Sequence, residues 1–321
     1  MNRADYFIQR VGSALFTTFV AVSLNFVLFR VLPGSAAQNL SQVPGGGAAL
    51  QAALNREFGL DKSLLEQYRL YLWNLLHLDF GVSFANQQPV LSNLQTAFFN
   101  TLPLVLAGSL VAIVAGMIAG VLAAWRRGTV VEHLSVVPAL GFYALPVQWL
   151  GMVLILLCGG FLPTSGRIDE YLIDPTSTEH FFDVLQHMVL PSATLALVLY
   201  GQYTLIMRSS MLETLGEDYV LTGKAVGFPT RWVLRKFAFR NAMLPVISVV
   251  ALSAGFIVGG AILTETVFNW PGLGFAVYQA VLQRDYPMLQ GAFLFLTVSV
   301  ILCNLIADLI YFKLDPRISQ S

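Results

Sequence analysis

Few side chains in this sequence are spaced for catalysis or metal binding. Its four histidines include no pair four residues apart, the spacing that turns two rings toward one metal ion on a helix. The sequence has no H-E-x-x-H, no G-x-S-x-G nucleophile elbow and no G-x-x-x-x-G-K-[ST] phosphate loop. Its two cysteines, Cys158 and Cys303, are too few for a disulfide framework or a zinc site. We therefore expect no catalysis, metal or cofactor on this chain itself.

One carboxylate stands out because it falls within an apolar segment. Asp308 follows Asn304 by one helical turn inside the stretch Met288–Tyr311. A charge at mid-membrane costs at least about 2.5–3.5 kcal/mol, so its presence needs a reason. Asp308 either belongs to a proton or cation relay, or lies near its helix end and caps or pairs locally, close to Lys313 and Arg317. The second interpretation is favoured, because a relay needs further acidic partners.

Small residues recur at every fourth position in two apolar segments. In lipid, such stripes let two helix backbones approach closely. They indicate packing within the subunit, or contact with a second membrane subunit that would place a pathway between the two. The stripes are Gly108, Ala112, Gly116, Gly120 and Ala124 in one segment, and Ala251, Gly255 and Gly259 in the other.

The stretch 208–242 is the most informative part of the chain, and it holds six basic residues. Met211–Val226 is predicted to form a helix that Gly227 ends, and Thr230 to cap a second helix that ends before Pro245. A helix–glycine–helix unit makes a knob that a soluble partner can grip. An ordinary basic loop would not need the glycine stop, so docking is the preferred interpretation.

The class of protein follows from the composition. Of 321 residues, 56% are hydrophobic and 11% are charged, whereas a soluble domain carries about 25% charged residues. The apolar content excludes intrinsic disorder, and the net charge of +0 argues against a nucleic-acid partner. The ten-residue alternating segments of a β-barrel are absent. The chain is therefore expected to be an all-α, polytopic membrane protein in contact with membrane lipid.

Six segments have the roughly 20 apolar residues that a membrane-crossing helix needs. The first is longer than the apolar core of a cleavable signal, about 7–15 residues, so we expect it to be retained, with a cleaved signal as the alternative. The predicted spans are Val11–Leu32, Leu102–Trp125, Leu134–Leu157, Val189–Met207, Met243–Leu263 and Met288–Tyr311.

The lysines and arginines predict the orientation. Twelve of the 18 fall in the termini and in the loops after the second and fourth spans, which places both termini in the cytoplasm. In the first outer loop, Ser63–Leu78 has the periodicity of an amphipathic helix. The predicted parts are an N-terminal helix (1–32), an extracytoplasmic loop (33–101), a core of five spans (102–312) that contains the cytoplasmic loop 208–242, and a cytoplasmic tail (313–321).

Several short motifs follow one another in a recognisable order. Gly227 is followed by Leu244-Pro245, and a distinctive run, Glu265–Gly274 (ETVFNWPGLG), lies between the last two spans. Two outer segments, Asp79–Ser83 and Leu162–Gly166, belong to the same series. In this order and spacing the sequence resembles the membrane subunits of ABC importers, specifically the B-type permease of the dipeptide, oligopeptide and nickel group. The motif positions are Glu265, Phe268, Pro271, Gly272, Gly274, Asp285, Asp308, Asp315, Pro316 and Arg317.

The resemblance implies a type I ABC importer permease fold in the bacterial inner (plasma) membrane. It implies a second, C-type permease subunit as partner, one or two docked ATPase subunits that use ATP and Mg²⁺, and an extracytoplasmic solute-binding protein that delivers substrate. The E-A-A part of the family's coupling motif reads Leu221-Thr222-Gly223 here. The implied ATPase-coupling positions are Leu221, Thr222, Gly223, Lys224, Ala225, Val226 and Gly227.

The function that the resemblance implies is import of di- or oligopeptides through a path formed by this subunit. The same scaffold also imports nickel, glutathione and other small solutes, so the substrate stays open. An ion-coupled carrier or channel that uses Asp308 is a hypothesis of another class, and it would transport without an ATPase subunit. A membrane enzyme would need catalytic clusters that the sequence lacks.

Overall fold

The computed structural model describes residues 3–30, 62–169 and 176–314. For residues 3–6, 30, 251–260, 307 and 310–314 it describes the helical backbone but not the packing of the side chains. In the described ranges all regular secondary structure is helical, apart from one isolated β-bridge between Val82 and Pro89. The all-α prediction is confirmed. The helices are α1 (Arg3–Arg30), α2 (Leu64–Leu76), α3 (Val90–Trp125), α4 (Val130–Ala144), α5 (Val147–Cys158), α6 (Ser177–Leu215), α7 (Asp218–Ala225), α8 (Thr230–Val233), a π-helical turn (Leu234–Phe239), α9 (Arg240–Gly260), α10 (Ile262–Val267), α11 (Leu273–Gln283) and α12 (Tyr286–Leu314).

Within the described residues, four helices are long and apolar enough to cross a membrane, or five if the bent pair α4–α5 counts as one span. The four are α1, α3, α6 and α12. The last three contain the second, fourth and sixth predicted spans, and α1 covers the first predicted span as far as Arg30. The fifth predicted span, Met243–Leu263, falls largely on α9. The count of six spans and the cytoplasmic placement of both termini stay predictions.

The third predicted span, Leu134–Leu157, is not one straight helix. It forms α4 and α5, whose axes are bent by 110° at a short break. The break falls at Leu145, with φ −78° and ψ 136°, just before Pro146. Proline sterically disfavours the helical region for the residue that precedes it, so the chain leaves the helix there.

Two helices are much longer than their predicted spans. α3 has 36 residues and α6 has 39. At 1.5 Å per residue these helices are about 54 Å and about 58 Å long, whereas the hydrocarbon core is about 30 Å thick. Both helices therefore extend beyond the apolar layer, and α3 begins at Val90, inside the predicted outer loop.

α3 and α6 pack closely because glycines stand where they meet. A methyl carbon added at Gly116 would lie 2.7 Å from Cβ of Tyr203, and one added at Gly120 would lie 2.6 Å from Cβ of Met207. At Gly108 it would lie 2.9 Å from Cβ of Leu195. This glycine stripe therefore packs against a helix of the same subunit. The second stripe, with Gly255 and Gly259, lies within residues 251–260 of α9, for which the structure does not describe side-chain packing.

Near the C-terminal end of α1, side chains join α1 to α12 and to α2. The Asn25 side-chain amide donates to the carbonyl of Gln290 on α12 at 3.0 Å. The predicted amphipathic helix is present as α2, with Ser63 as its N-cap. Its Tyr68 hydroxyl lies 2.7 Å from the Ser23 hydroxyl, and its ring packs edge-on against Phe26.

Gly120→Ala tests the contact between α3 and α6. The added carbon would lie 2.7 Å from the carbonyl oxygen of Thr204, so the helices must separate. We expect a loss of about 1–3 kcal/mol, the usual cost of overpacking. The measurement is the midpoint of thermal unfolding of the purified chain in detergent. Gly12→Ala is the matched control, since no atom lies within 4 Å of the added carbon there, and equal midpoints for the two variants would contradict the prediction.

Candidate functional site

The two ends of the bundle are called inner and outer after the predicted orientation. At the inner end, residues 216–239 form a projection that we call the coupling knob. The prediction of one helix over Met211–Val226 is wrong, because α6 ends at Leu215 and α7 begins at Asp218. Glu217 between them is extended, with φ −71° and ψ 144°, which interrupts the helical hydrogen bonds. The knob therefore contains a short helix of its own.

Gly227 ends α7 by a glycine-dependent cap. Its backbone has φ +90°, a left-handed conformation that costs other residues about 1–2 kcal/mol. The N–H of Gly227 donates to the carbonyl of Lys224 at 3.0 Å, and the N–H of Phe228 donates to that of Gly223 at 3.2 Å. These two bonds are the Schellman arrangement that satisfies the last carbonyls of a helix.

The second predicted helix differs from the prediction at both ends. Pro229 occupies the cap position and Thr230 is the first helical residue, with no side-chain capping bond. The helix does not end before Pro245, because α8 continues through the π-helical turn into α9, which contains Pro245. Proline is tolerated inside membrane helices where neighbouring groups satisfy the freed backbone.

Aromatic rings hold the knob together. Trp232 lies between Phe228 and Phe237, with ring centroids 4.3 Å and 5.1 Å away. Gly223 is buried against this cluster, because a methyl carbon there would lie 3.1 Å from the Phe237 ring. α7 is thereby packed onto the segment that leads into α9.

The predicted ATPase-coupling residues lie on the outside of the knob. Of the seven, all but Gly223 are exposed. Val226 exposes 70% of its surface and Leu221 exposes 49%, both large values for apolar side chains. Exposed apolar groups beside a rigid aromatic cluster suit a protein interface.

At the outer end, a buried carboxylate joins α10 and α11 to α3; we call this the outer latch. Glu265 is fully buried, and it accepts hydrogen bonds from the Thr101 hydroxyl at 2.6 Å and the Phe275 N–H at 2.9 Å. The N–H of Leu273 donates to the Thr101 oxygen at 2.7 Å. A buried carboxyl group is tolerated when such partners surround it. Glu265 therefore serves here as a structural junction.

Hydrogen bonds from side chains to backbone carbonyls extend the outer latch. The Asn100 side chain donates to the carbonyl of Pro271 at 2.8 Å, and the Trp270 indole donates to the carbonyl of Asn100 at 3.0 Å. Gly272 lies against Glu265 and Thr101, and Gly274 lies against Ile262, with no room for a Cβ atom.

Two outer motifs that are far apart in sequence meet at Phe268. The N–H of Gly166 donates to the carbonyl of Phe268 at 2.9 Å, and the Asn269 side chain donates to the Ser165 hydroxyl at 3.0 Å. The Phe268 ring is buried, and a methyl carbon at Gly151 of α5 would lie 3.2 Å from it. The Glu265–Gly274 run thus contacts the third-span region as well as α3.

Asp285 links the outer loop to the start of α12. It is buried, and it accepts from the Met288 N–H at 3.1 Å, which caps the helix. The Ser83 hydroxyl and the Ala85 N–H also donate to it. The predicted motif residues at Asp79–Ser83 and Asp285 therefore come together.

An open cavity of about 300 Å³ lies between the outer latch and Asp285. Its polar lining is dominated by neutral carboxamides that can both donate and accept hydrogen bonds. They are Asn86, Asn93, Asn100, Gln279 and Gln283.

Two ion pairs brace the inner end. The Arg208 Nε atom donates to Glu132 at 3.1 Å, and the Gly128 N–H donates to the same carboxylate at 2.6 Å. Asp308 lies 3.0 Å from the Arg10 guanidinium of α1. This pairing supports the structural interpretation of Asp308, with a partner from another helix.

The partners of the motif residues were not predictable from their own sequence pattern. Thr101 and Asn100 carry no distinguishing pattern, although a polar pair at the start of an apolar span was a usable signal. Three motif positions, Asp315, Pro316 and Arg317, lie outside the described residues.

Gly272→Ala tests the outer latch. The added carbon would lie 2.5 Å from the Thr101 hydroxyl and against the Glu265 carboxylate, so their hydrogen bond must break. We expect about 1–3 kcal/mol of destabilisation, the cost of leaving a buried polar group unpaired. Thermal unfolding in detergent measures it. Gly160→Ala, in an outer turn with no atom within 4 Å of the added carbon, is the control that should behave as wild type. An unchanged midpoint for Gly272→Ala would contradict the prediction.

The chain is similar to known transport proteins over almost its whole length. Residues 112–320 match the family of binding-protein-dependent transport system inner membrane components. The dipeptide transport system permease protein DppB of Escherichia coli K12 is 37% identical, and the di/tripeptide permease DppB of Pseudomonas aeruginosa is 36% identical, with 98% of each chain covered. The glutathione transport system permease protein GsiC of Escherichia coli K12 is 34% identical, again with 98% of both chains covered. This chain belongs to the family of binding-protein-dependent inner membrane transport components, as an ABC importer permease of the peptide group.

Proposed function

We propose that this chain is the B-type permease subunit of an ATP-driven importer of di- or oligopeptides. The observation that carries the substrate class is its likeness, over 98% of its length, to permeases named for dipeptide and di/tripeptide transport. The carboxamide-lined outer cavity supports this class, because neutral donors and acceptors match peptide groups without selecting a side-chain charge. A permease named for glutathione transport makes a thiol tripeptide the second candidate substrate. Nickel, which only the family resemblance implies, is the third.

Further subunits complete the proposed transporter. A C-type permease subunit pairs with this chain around the path, and an extracytoplasmic binding protein delivers the substrate. One or two ATPase subunits bind ATP and Mg²⁺ and dock on the coupling knob. The exposed Leu221 and Val226 supply the apolar contact for that docking.

The knob is built to transmit movement to two spans. α7 joins α6 through Gly216 and Glu217, and its Gly223 packs against Phe237 in the turn that leads into α9. A displacement of α7 is therefore transmitted to both α6 and α9. ATP binding drives the change only if the closed ATPase favours one position of the knob, since a ligand shifts an equilibrium by its differential affinity.

A carrier that works without an ATPase is less well supported. Its proposed relay residue, Asp308, is already neutralised by Arg10 at 3.0 Å. Uptake without any ATPase subunit that stops in Asp308→Asn would favour the carrier.

Gly227→Val tests docking through the knob. The φ of +90° makes valine strained there, although the space around it is open, so the turn must change shape. A strain of about 1–2 kcal/mol lowers the population of the docked shape roughly tenfold. We expect uptake of a labelled dipeptide by the complete transporter to fall to that extent at an unchanged membrane level of the protein, measured by immunoblot.

Gly128→Val is the matched control. Gly128 has φ +78°, open surroundings and a place in the other predicted inner turn. It carries the same backbone strain outside the knob, and valine keeps the backbone N–H that donates to Glu132, so uptake should stay near the wild-type value. Equal losses of uptake in the two variants would contradict a docking role for Gly227.

A further inference from the structure

A second cavity, of about 330 Å³, opens between the inner end of α3 and the coupling knob, which supplies part of its lining. Five of its seven lining residues are apolar, and these five come from α3, α6 and the π-helical turn. The apolar lining residues are Val121, Trp125, Met211, Leu234 and Phe239.

Two arginines complete the lining. Arg231 and Arg235 stand four residues apart, one helical turn, and both are exposed. Within residues 3–30, 62–169 and 176–314, neither forms an ion pair with a carboxylate. A guanidinium group can donate two parallel N–H bonds to phosphate oxygens. Two guanidinium groups at one rim therefore suit a phosphate ester.

The level of the cavity along the membrane normal indicates where its ligand comes from. Val121 and Trp125 lie in the last turns of α3, where its apolar segment ends. The Trp125 ring is partly exposed, and the Arg126 guanidinium lies 5.6 Å from its centre, a typical arrangement at a membrane–water boundary. The apolar cavity is therefore at the level where acyl chains meet headgroups.

We propose that this cavity binds an anionic phospholipid of the inner leaflet. The acyl chain and glycerol fill the space beside Val121, Met211 and Phe239, and the phosphate binds Arg231 and Arg235. Basic pockets between membrane helices on the cytoplasmic side are suited to anionic headgroups. A free phosphate would leave the apolar space empty, so the lining favours a lipid over a soluble anion.

The site would connect lipid composition to the knob. Arg231 is on α8, and Leu234, Arg235 and Phe239 are on the π-helical turn, while Met211 is on the last turns of α6. A lipid bound across them holds the two arms that join the knob to its spans. An anionic lipid therefore stiffens the connection through which the proposed ATPase movement passes, although its binding does not depend on that function.

The test uses the full-length chain in nanodiscs of equal phosphatidylglycerol and phosphatidylcholine. After extraction in mild detergent, native mass spectrometry measures which phospholipid stays bound. We expect preferential retention of phosphatidylglycerol by the wild type. In the double variant Arg231→Gln, Arg235→Gln this preference should fall roughly 25-fold, from a factor of about five for each basic residue at an anionic surface.

Two further variants separate a built site from general basic attraction. Arg127→Gln with Arg240→Gln removes two exposed charges from the same end outside the cavity, so the preference should remain. Val121→Phe fills the cavity with both arginines present, and the retained lipid should be lost. Equal loss in both double variants, or no loss in Val121→Phe, would overturn the proposal.

Two outcomes would assign the arginines to another ligand. Displacement of the lipid by millimolar inorganic phosphate would make the site one for a soluble anion. Loss of the lipid when the ATPase subunits are added to the complete transporter would make this surface a protein interface. Retention under both conditions supports the lipid site.

Discussion

Because glycines stand where α3 crosses α6, the two helices approach until side chains of one meet the backbone of the other. At Gly120 a methyl carbon would lie 2.7 Å from the carbonyl oxygen of Thr204, and at Gly116 it would lie 3.0 Å from that of Tyr200. Lipid tails are as apolar as leucine, so the hydrophobic effect does not hold two such helices together. Close contact supplies dispersion energy that larger residues would prevent, and the spacing of this pair sets the positions of everything attached to it.

The two functional ends are attached to the same pair of helices. α3 carries Asn100 and Thr101 to the outer latch, and α6 runs to the coupling knob at the opposite end. With lengths of 36 and 39 residues, both helices are longer than the hydrocarbon core is thick. A displacement of the pair at the knob therefore has a direct mechanical route to the outer segments. The buried hydrogen bonds of Glu265 make those segments move with α3.

The sequence predicted the features that depend on local pattern. The spans follow from apolar runs, the end of α7 from the need for glycine at Gly227, and α2 from its periodicity. The bend at Pro146 and the break at Glu217 were missed, because proline and glycine also occur inside continuous helices here, as Pro245 does in α9. The pairings of Glu265 with Thr101 and of Asp308 with Arg10 join residues 164 and 298 positions apart along the chain, and no local pattern encodes such a distance.

The 110° bend between α4 and α5 has a consequence for the surroundings of the subunit. Where a helix breaks, peptide groups lose their partners, and hydrocarbon offers them none. A lipid-facing break would leave these groups unsatisfied at a cost of several kcal/mol each. The side that carries Leu145 and Pro146 must therefore face protein or water. Where the bend lies at hydrocarbon depth, it marks a lipid-free sector on the outline of the subunit, and the annular lipid shell is interrupted there.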